Sequence, residues 1–449
     1  MACKKIACLG GGSAYFARAL PDLVVAEGLS GSEIVLYDID HEKAGIMASH
    51  GGRMAEEAGS GMRVRACGDL AEAVDGADFA ISAIGGSGAG AGSVYGSSAH
   101  AADILIPARY GIYQVIGDTG GPAGMMMGLR SVPIYLEICR EMEKRCPDVV
   151  LLNHSNPMAV LCRAMLKYTG LRNVIGICHG VQIGLRHAAD ALEVDPHELD
   201  AVWIGTNHYY WFTRLRCGGR DVYPELIRRT PERATKPGSE LASRLSRIYG
   251  FQLLFPDDTH VVEFYPFLAQ VGSPKNIPYG MGEVGHSMFK PGAHEGAGPP
   301  DRAAQLEALQ ELLAGAEFPE EPSDAVTGEG LGSLVEAIAL GRRKVHIVNI
   351  PNRGCVPNLP DYAVLEVEGV TDSVGVRRLY AGEAPLALAG LLQKRIAWQE
   401  MVVEAAVKGE PNLAVQATLL DEMAIPPEKA EAMVGELLAA SSGHLPQFK

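Results

Sequence analysis

Lys4-Lys-Ile-Ala-Cys-Leu-Gly-Gly-Gly-Ser13, followed by Glu33-Ile-Val-Leu-Tyr-Asp-Ile-Asp40, decides the fold. Ile6 to Leu9 is an unbroken apolar run, the pattern of a strand buried on both faces. Gly10-Gly11-Gly12-Ser13 is a tight turn, and residues 15–26 have helical spacing. Residues 33–37 form a second buried strand, and residues 44–58 read as a helix. Further apolar strands are expected at 79–84, 149–153 and 174–177, with a helix over 129–145. Strands alternating with helices predict an α/β fold, a doubly wound parallel sheet covered on both faces.

After about residue 200 the pattern changes. Residues 202–207 are strand-like, 228–240 form a polar surface helix or loop, and the Gly- and Pro-rich stretch 291–300 reads as a mobile loop. Residues 306–314 and 386–407 are amphipathic helices. Residues 344–350 and 363–368 are strands around a turn-rich 351–360. A chain of 449 residues exceeds the roughly 250–300 that one core supports. The expected division is a nucleotide-binding domain over 1–200 and an α+β substrate and catalytic domain over 201–449.

The net charge of -15 argues against a nucleic-acid surface, which needs a basic stripe. Nine cysteines, an odd number with no regular spacing, predict free thiols in a reduced compartment. The N-terminus lacks the apolar core of a secretory signal, and no apolar run approaches the ~20 residues of a membrane span. A soluble cytoplasmic protein with no membrane partner is expected.

The strand–turn–helix at residues 4–20 suits a dinucleotide. Glycines let the backbone approach a pyrophosphate, and the helix N-terminus offers N–H groups. Gly10, Gly12 and Ser13 are the candidate contacts. Tyr15 replaces the third glycine of the G-x-G-x-x-G pattern, so the fingerprint is incomplete. Asp38, at the end of the second strand, is placed to bond ribose hydroxyls and to repel a 2′-phosphate, which favours NAD over NADP. The plainer reading is a glycine turn with an exposed Asp.

Four segments are dense in polar groups that a core would not want: residues 110–130 with Gly117-Asp118-Thr119, Asn153-His-Ser-Asn-Pro157, Gly176-Ile-Cys-His-Gly180, and Gly205-Thr-Asn-His-Tyr-Tyr-Trp211. The middle two follow apolar strands directly, and in parallel sheets such strand ends face the ligand crevice. Cys178 and His208 are a candidate pair for a borderline transition metal, with coordination positions left open for substrate. Against this, buried thiols are usually inert, and a lone His at a strand end is more often a hydrogen-bonding residue.

In this order and spacing, these segments resemble glycoside hydrolase family 4. The resemblance also runs through Tyr110-Gly-Ile-Tyr-Gln, Asp258-x-His-x-x-Glu263-Phe and Pro351-Asn…Asn358-Leu-Pro. It implies a Rossmann-like domain of lactate/malate dehydrogenase type, NAD, a divalent metal that is commonly Mn, and a homodimer or homotetramer. It implies a route in which NAD oxidises C3 of the sugar, a base takes the C2 proton, the glycosidic oxygen is eliminated, water adds and the hydride returns. Cys178 and His208 then match the metal ligands and Asn156 a sugar- and metal-proximal residue. Asp118 matches the general acid and Asp258 the base, with Asp257 and His260 as neighbours able to replace it.

The run Cys178-His179-Gly180 is, by the same resemblance, typical of α-glucuronidases, so an α-glucuronide is the expected substrate. α-Galacturonides, α-galactosides and α-glucosides remain open as small-molecule substrates. His179 lies beside the metal position, and Arg130, Arg353 or His260 would bind a uronate carboxylate. More remote readings are a simple NAD-dependent hydroxy-acid dehydrogenase and a non-enzymatic sensor of NAD or sugar.

Overall fold

The computed structural model describes residues 3–448 apart from 86–97, 234–238, 254–257, 291–300, 316–318, 320–321, 324–327 and 422. The loop expected at 291–300 and the base candidate Asp257 lie outside the described residues. The strands are β1 Lys5–Leu9, β2 Glu33–Tyr37, β3 Arg63–Cys67, β4 Phe79–Ser82, β5 Val150–Asn153, β6 Asn173–Gly176, β7 Leu199–Thr206, β8 Tyr209–Cys217, β9 Arg220–Asp221, β10 Gln252–Leu253, β11 Val345–Pro351, β12 Val364–Asp372 and β13 Gly375–Arg378.

Nine of them form one sheet in the order β13-β12-β11-β6-β5-β4-β1-β2-β3. The six strands from β3 to β6 are parallel, in the 3-2-1-4-5-6 order of a Rossmann-like doubly wound sheet. Both faces are covered, as the apolar runs require. Ile6 and Cys8 of β1 point into one core with Phe16, Leu20 and Met47. Ala7 and Leu9 point into the other, with Leu129, Val160 and Val402. The order reverses between β1 and β4, which places the ligand crevice at their carboxyl ends.

The chain leaves this sheet after the helix Gly180–Leu192 and builds a small antiparallel sheet, β10-β8-β7 with β9 on β8. It then returns, and β11, β12 and β13 join the first sheet as an antiparallel extension. The expected line at residue 200 falls at the start of β7, and three strands beyond it belong to the first sheet. Asn349 pairs with Gly176, where a Cβ would stand 2.8 Å from that of Asn349, so the glycine permits the junction of β11 and β6. Trp203 Nε1 and Thr206 Oγ1 donate to the carbonyls of Glu366 and Val364, tying β7 to β12. This brings the β7–β8 hairpin tip to the crevice.

All nine cysteines are free. Among the described residues no helix is long and apolar enough to cross a membrane.

Candidate active site

The turn after β1 is fixed by its backbone. The N–H groups of Gly10 and Gly11 both donate to Tyr37 O at 2.9 Å, and Ser13 N donates to Gly10 O at 2.8 Å. Gly10 has φ 77°, and a Cβ there would stand 2.4 Å from Ala83 O beyond β4, so only glycine fits. Asp38 Oδ2 accepts from Gly12 N at 2.9 Å and Oδ1 from Asp40 N at 2.8 Å. The four expected nucleotide contacts, Gly10, Gly12, Ser13 and Asp38, are therefore one unit.

Tyr15 precedes the helix Phe16–Val24, and its ring stacks on His154 at 3.8 Å. Its hydroxyl donates to Glu329 Oε2 at 3.2 Å, and His179 Nδ1 lies 3.1 Å from Glu329 Oε1. Burial opposes charge on Glu329, but the imidazoles of His179 and His154 outweigh it and hold the carboxyl below its usual range. His179 is thus placed in a cluster with Glu329, a residue that nothing in the sequence singled out.

Two residues beyond His154, Asn156 turns to the other part of the crevice. Its Nδ2 donates to Asp118 Oδ2 at 2.8 Å, while its Oδ1 has no partner among the described residues. Asp118, His208 and His260 offer one ligand atom each within 4.8 Å of one another. Asp118 precedes the helix Gly121–Arg145. His208 occupies the two-residue tip between β7 and β8 with φ 65°, a backbone that only a few per cent of non-glycine residues adopt. Strain of this kind concentrates at functional sites. The His260 ring meets that of His208 edge to face at 5.2 Å.

Thr119 Oγ1 links the corner, 2.5 Å from Asp118 Oδ1 and 2.9 Å from His208 Nδ1. Burial works against the Asp118 carboxylate, yet His208, His260 and the Thr119 hydroxyl more than offset it and hold it ionised. Burial lowers the pKa of His208 against the pull of Asp118. An ionised Asp118 suits gripping a cation or accepting a proton. The acid role implied for it requires that substrate binding first protonate it.

Cys178 lies behind this corner. Its Sγ accepts from Gly180 N at 3.4 Å and stands against Asn207, the residue before His208. Burial pushes the thiol up, and the nearby Glu366 carboxylate adds to the shift. Glu366, buried on β12, accepts from Asn349 Nδ2 at 3.1 Å, and burial raises it to about 7. A thiol so placed becomes a thiolate only when a cation replaces its proton.

Two of the expected site residues have other work. Arg130 is buried, its NH1 and NH2 groups on Asp103 at 3.0 and 2.5 Å with Ser441 beside them. A guanidinium sealed into an ion pair has no face for a uronate, so its assignment as a substrate contact is corrected. Asp258 is fully buried and accepts from Leu241 N at 2.7 Å and Ala242 N at 2.9 Å. Both oxygens cap the helix Glu240–Tyr249, as helix N-termini favour. His260 is the member of that segment that reaches the corner. Arg353 is exposed on the turn after β11, with φ 39° and its N–H on Asp361 O at 3.0 Å.

Thr119, Glu263 and Glu366 were not singled out. The first two stood inside quoted motifs. An acid between Leu365 and Val367 in an apolar strand was the available signal for the third.

The fold and site define a doubly wound α/β protein with a nucleotide-type turn beside an acid–imidazole corner. The chain belongs to the family 4 glycosyl hydrolases: the family model matches residues 5–194 and the model of the family's C-terminal domain matches 203–424. It is therefore a glycosidase. An alpha-galactosidase of Bacillus subtilis (strain 168) is 30% identical over 99% of this chain and 100% of its own. An alpha-galacturonidase of the same organism is 29% identical over 97% of this chain and 96% of its own. A 6-phospho-alpha-glucosidase from gut microorganisms, solved in complex with NAD and Mn2+, shares the fold with a TM-score of 0.78 at 22% identity, covering all of both chains.

Proposed function

We propose that the chain is an NAD- and manganese-dependent glycosidase that cleaves α-linked uronides, galacturonides foremost. The observation that carries this reading is the meeting of Asp118, Asn156, His208 and His260, with Asn156 two residues along the chain from His154, whose ring stacks on Tyr15 just after the nucleotide turn. The residues fit both groups. At the Gly10–Ser13 turn, with Asp38 behind it, the backbone packs against the segment after β4 so closely that a side chain at Gly10 would run into Ala83 O, the close backbone approach of a nucleotide turn. The carboxylate and imidazole donors suit manganese, and Asn156 Oδ1 is a buried acceptor without a partner among the described residues.

When bound, the nucleotide would supply a hydride acceptor for C3 of the sugar, and the metal would supply stabilisation of the negative charge that develops beside it. His208 would hold the metal with Asp118, whose ligand atoms lie within 4.8 Å of one another; Cys178, which is not among the groups that meet there, would be the further ligand that the family resemblance implies, and Asn156 would orient the sugar. Because Asp258 is committed to its helix cap, we assign removal of the C2 proton to His260, which stands 5.2 Å ring to ring from His208. Relatives named as a galactosidase and a galacturonidase favour the galacto configuration. The run Cys178-His179-Gly180 keeps α-glucuronides as the second substrate class.

A panel of nitrophenyl α-galacturonide, α-glucuronide, α-galactoside and α-glucoside, with and without Mn and NAD, tests this. The expected result is release from the galacturonide above the others, dependent on both additions, with no net NADH. Turnover of the neutral glycosides with neither uronide cleaved ends the uronide reading. Product formed in heavy water should carry deuterium at C2, and its absence ends the elimination route.

A further inference from the structure

We propose that Thr119 is a positioning residue that commits His208 to one tautomer, the one with its lone pair on Nε2. The inference rests on the reading of His208 as a metal ligand. A hydroxyl carries one proton. Oxygens 2.5 Å apart, as Thr119 Oγ1 and Asp118 Oδ1 are, need a proton between them, and in this bond the hydroxyl is the donor and the carboxylate oxygen accepts. Thr119 therefore donates to Asp118. Its lone pair faces His208 Nδ1 at 2.9 Å, so that nitrogen must be the donor. A neutral imidazole has a single N–H, and with it on Nδ1 the lone pair that a cation needs sits on Nε2. Metal-binding histidines commonly spend their second nitrogen on such a partner, which fixes ring and tautomer together.

Thr119 itself is held from three sides. Its N–H and that of Gly120 both donate to Glu263 Oε2, at 3.0 and 2.9 Å. Gly121 N donates to Asp421 Oδ2 at 2.8 Å. Gln114 receives Ala123 N at 3.0 Å and donates to Gly120 O at 2.6 Å. Glu263 ends the short stretch that also carries His260, so one segment supplies both a neighbour of His208 and the brace of the residue that orients it. Serine would preserve the bridge, whereas valine would keep the shape and lose it.

The test compares Thr119→Val with Thr119→Ser. Ring nitrogen spectra of metal-free protein labelled with 15N-histidine report the tautomer of His208, assigned by the signal missing from His208→Gln. The wild type and Thr119→Ser should show a proton on Nδ1 and none on Nε2, and Thr119→Val the other tautomer or a mixture. Manganese affinity by calorimetry should fall about 10–100-fold in Thr119→Val and less than about threefold in Thr119→Ser, with NAD affinity unchanged in both. Should Thr119→Val not fold, Thr119→Ala carries the same comparison, with NAD binding as the check on folding. An unchanged tautomer and manganese affinity without the hydroxyl, or a serine variant as weak as the valine one, overturns the assignment. A wild type that takes up no manganese and cleaves no uronide sinks the proposed function instead, while the metal-free spectra still decide the role of Thr119.

Discussion

The glycine turn after β1 and the corner around His208 share one crevice and are built on opposite principles. The turn is local: backbone N–H groups bond the end of the neighbouring strand, and one carboxylate, Asp38, closes it within about thirty residues of chain. The corner is assembled from Asp118, Asn156, His208 and His260, each on a different segment, and it is braced by the buried acids Glu263, on the segment of His260, and Asp421. A backbone site tolerates many side chains and fails when a Cβ intrudes. A side-chain site fails when one member or its brace is lost. The two should therefore be separable by mutation.

The largest effect is expected at the corner. His208→Ala should lower kcat/KM by at least about a thousandfold, beyond the 10–100-fold typical of outer-shell changes, while NAD affinity by fluorescence titration stays the same. A matching loss of NAD affinity would show that the two sites are not separable. Gly10→Ala should do the reverse. Its positive φ and the approach to Ala83 O cost about 1–3 kcal/mol, roughly five- to 150-fold in NAD affinity, with manganese binding retained.

The same contrast explains what the sequence discloses. The nucleotide turn, β2 and the strand alternation follow from local pattern, and the structure has β2 at Glu33–Tyr37 as read. The helix Gly121–Arg145 begins eight residues before its expected start, because Gly121, Gly124 and Gly128 read as breakers while burial overrides propensity there. β3 was missed because its charged residues sit at the exposed edge of the sheet. In the corner, the motifs brought Asp118, Asn156 and His208 into view, and only tertiary structure could show Thr119 bridging residues 90 positions apart or Glu366 under Cys178. Arg130 was misread for the converse reason: its partner Asp103 lies 27 residues upstream, in a segment with no motif.

Arg130 offers a sharper, smaller test. Removing one member of a buried pair leaves an uncompensated charge and costs about 3–5 kcal/mol, whereas replacing both with apolar residues of similar volume is often neutral. Arg130→Met with Asp103→Leu should unfold within about 1.5 kcal/mol of wild type in urea, allowing for imperfect repacking, and should leave the KM for any cleaved uronide unchanged. A selective rise in that KM would return Arg130 to the substrate site.

The smallest effect is expected where the nucleotide turn meets the surface. Asp40 caps the helix His41–Glu57 through Lys43 N, and its carboxylate also meets Arg302, which bonds Glu42 at 2.8 Å as well. The Arg302 hydrogen bond is the main reason the Asp40 carboxyl is held down to about 2, with burial opposing it. A folded value below the unfolded one means stability present above about pH 4 and lost as the pH falls through about 2. Arg302 is 45% exposed, so solvent screening reduces the effect. Arg302→Ala should lower the urea midpoint only slightly near pH 7, less still in high salt, and the gap should close toward pH 2. The cap on Lys43 survives the change, so NAD affinity should stay within about twofold. A tenfold loss would mean that the turn depends on distant side chains as the corner does, and the contrast between the two would no longer hold.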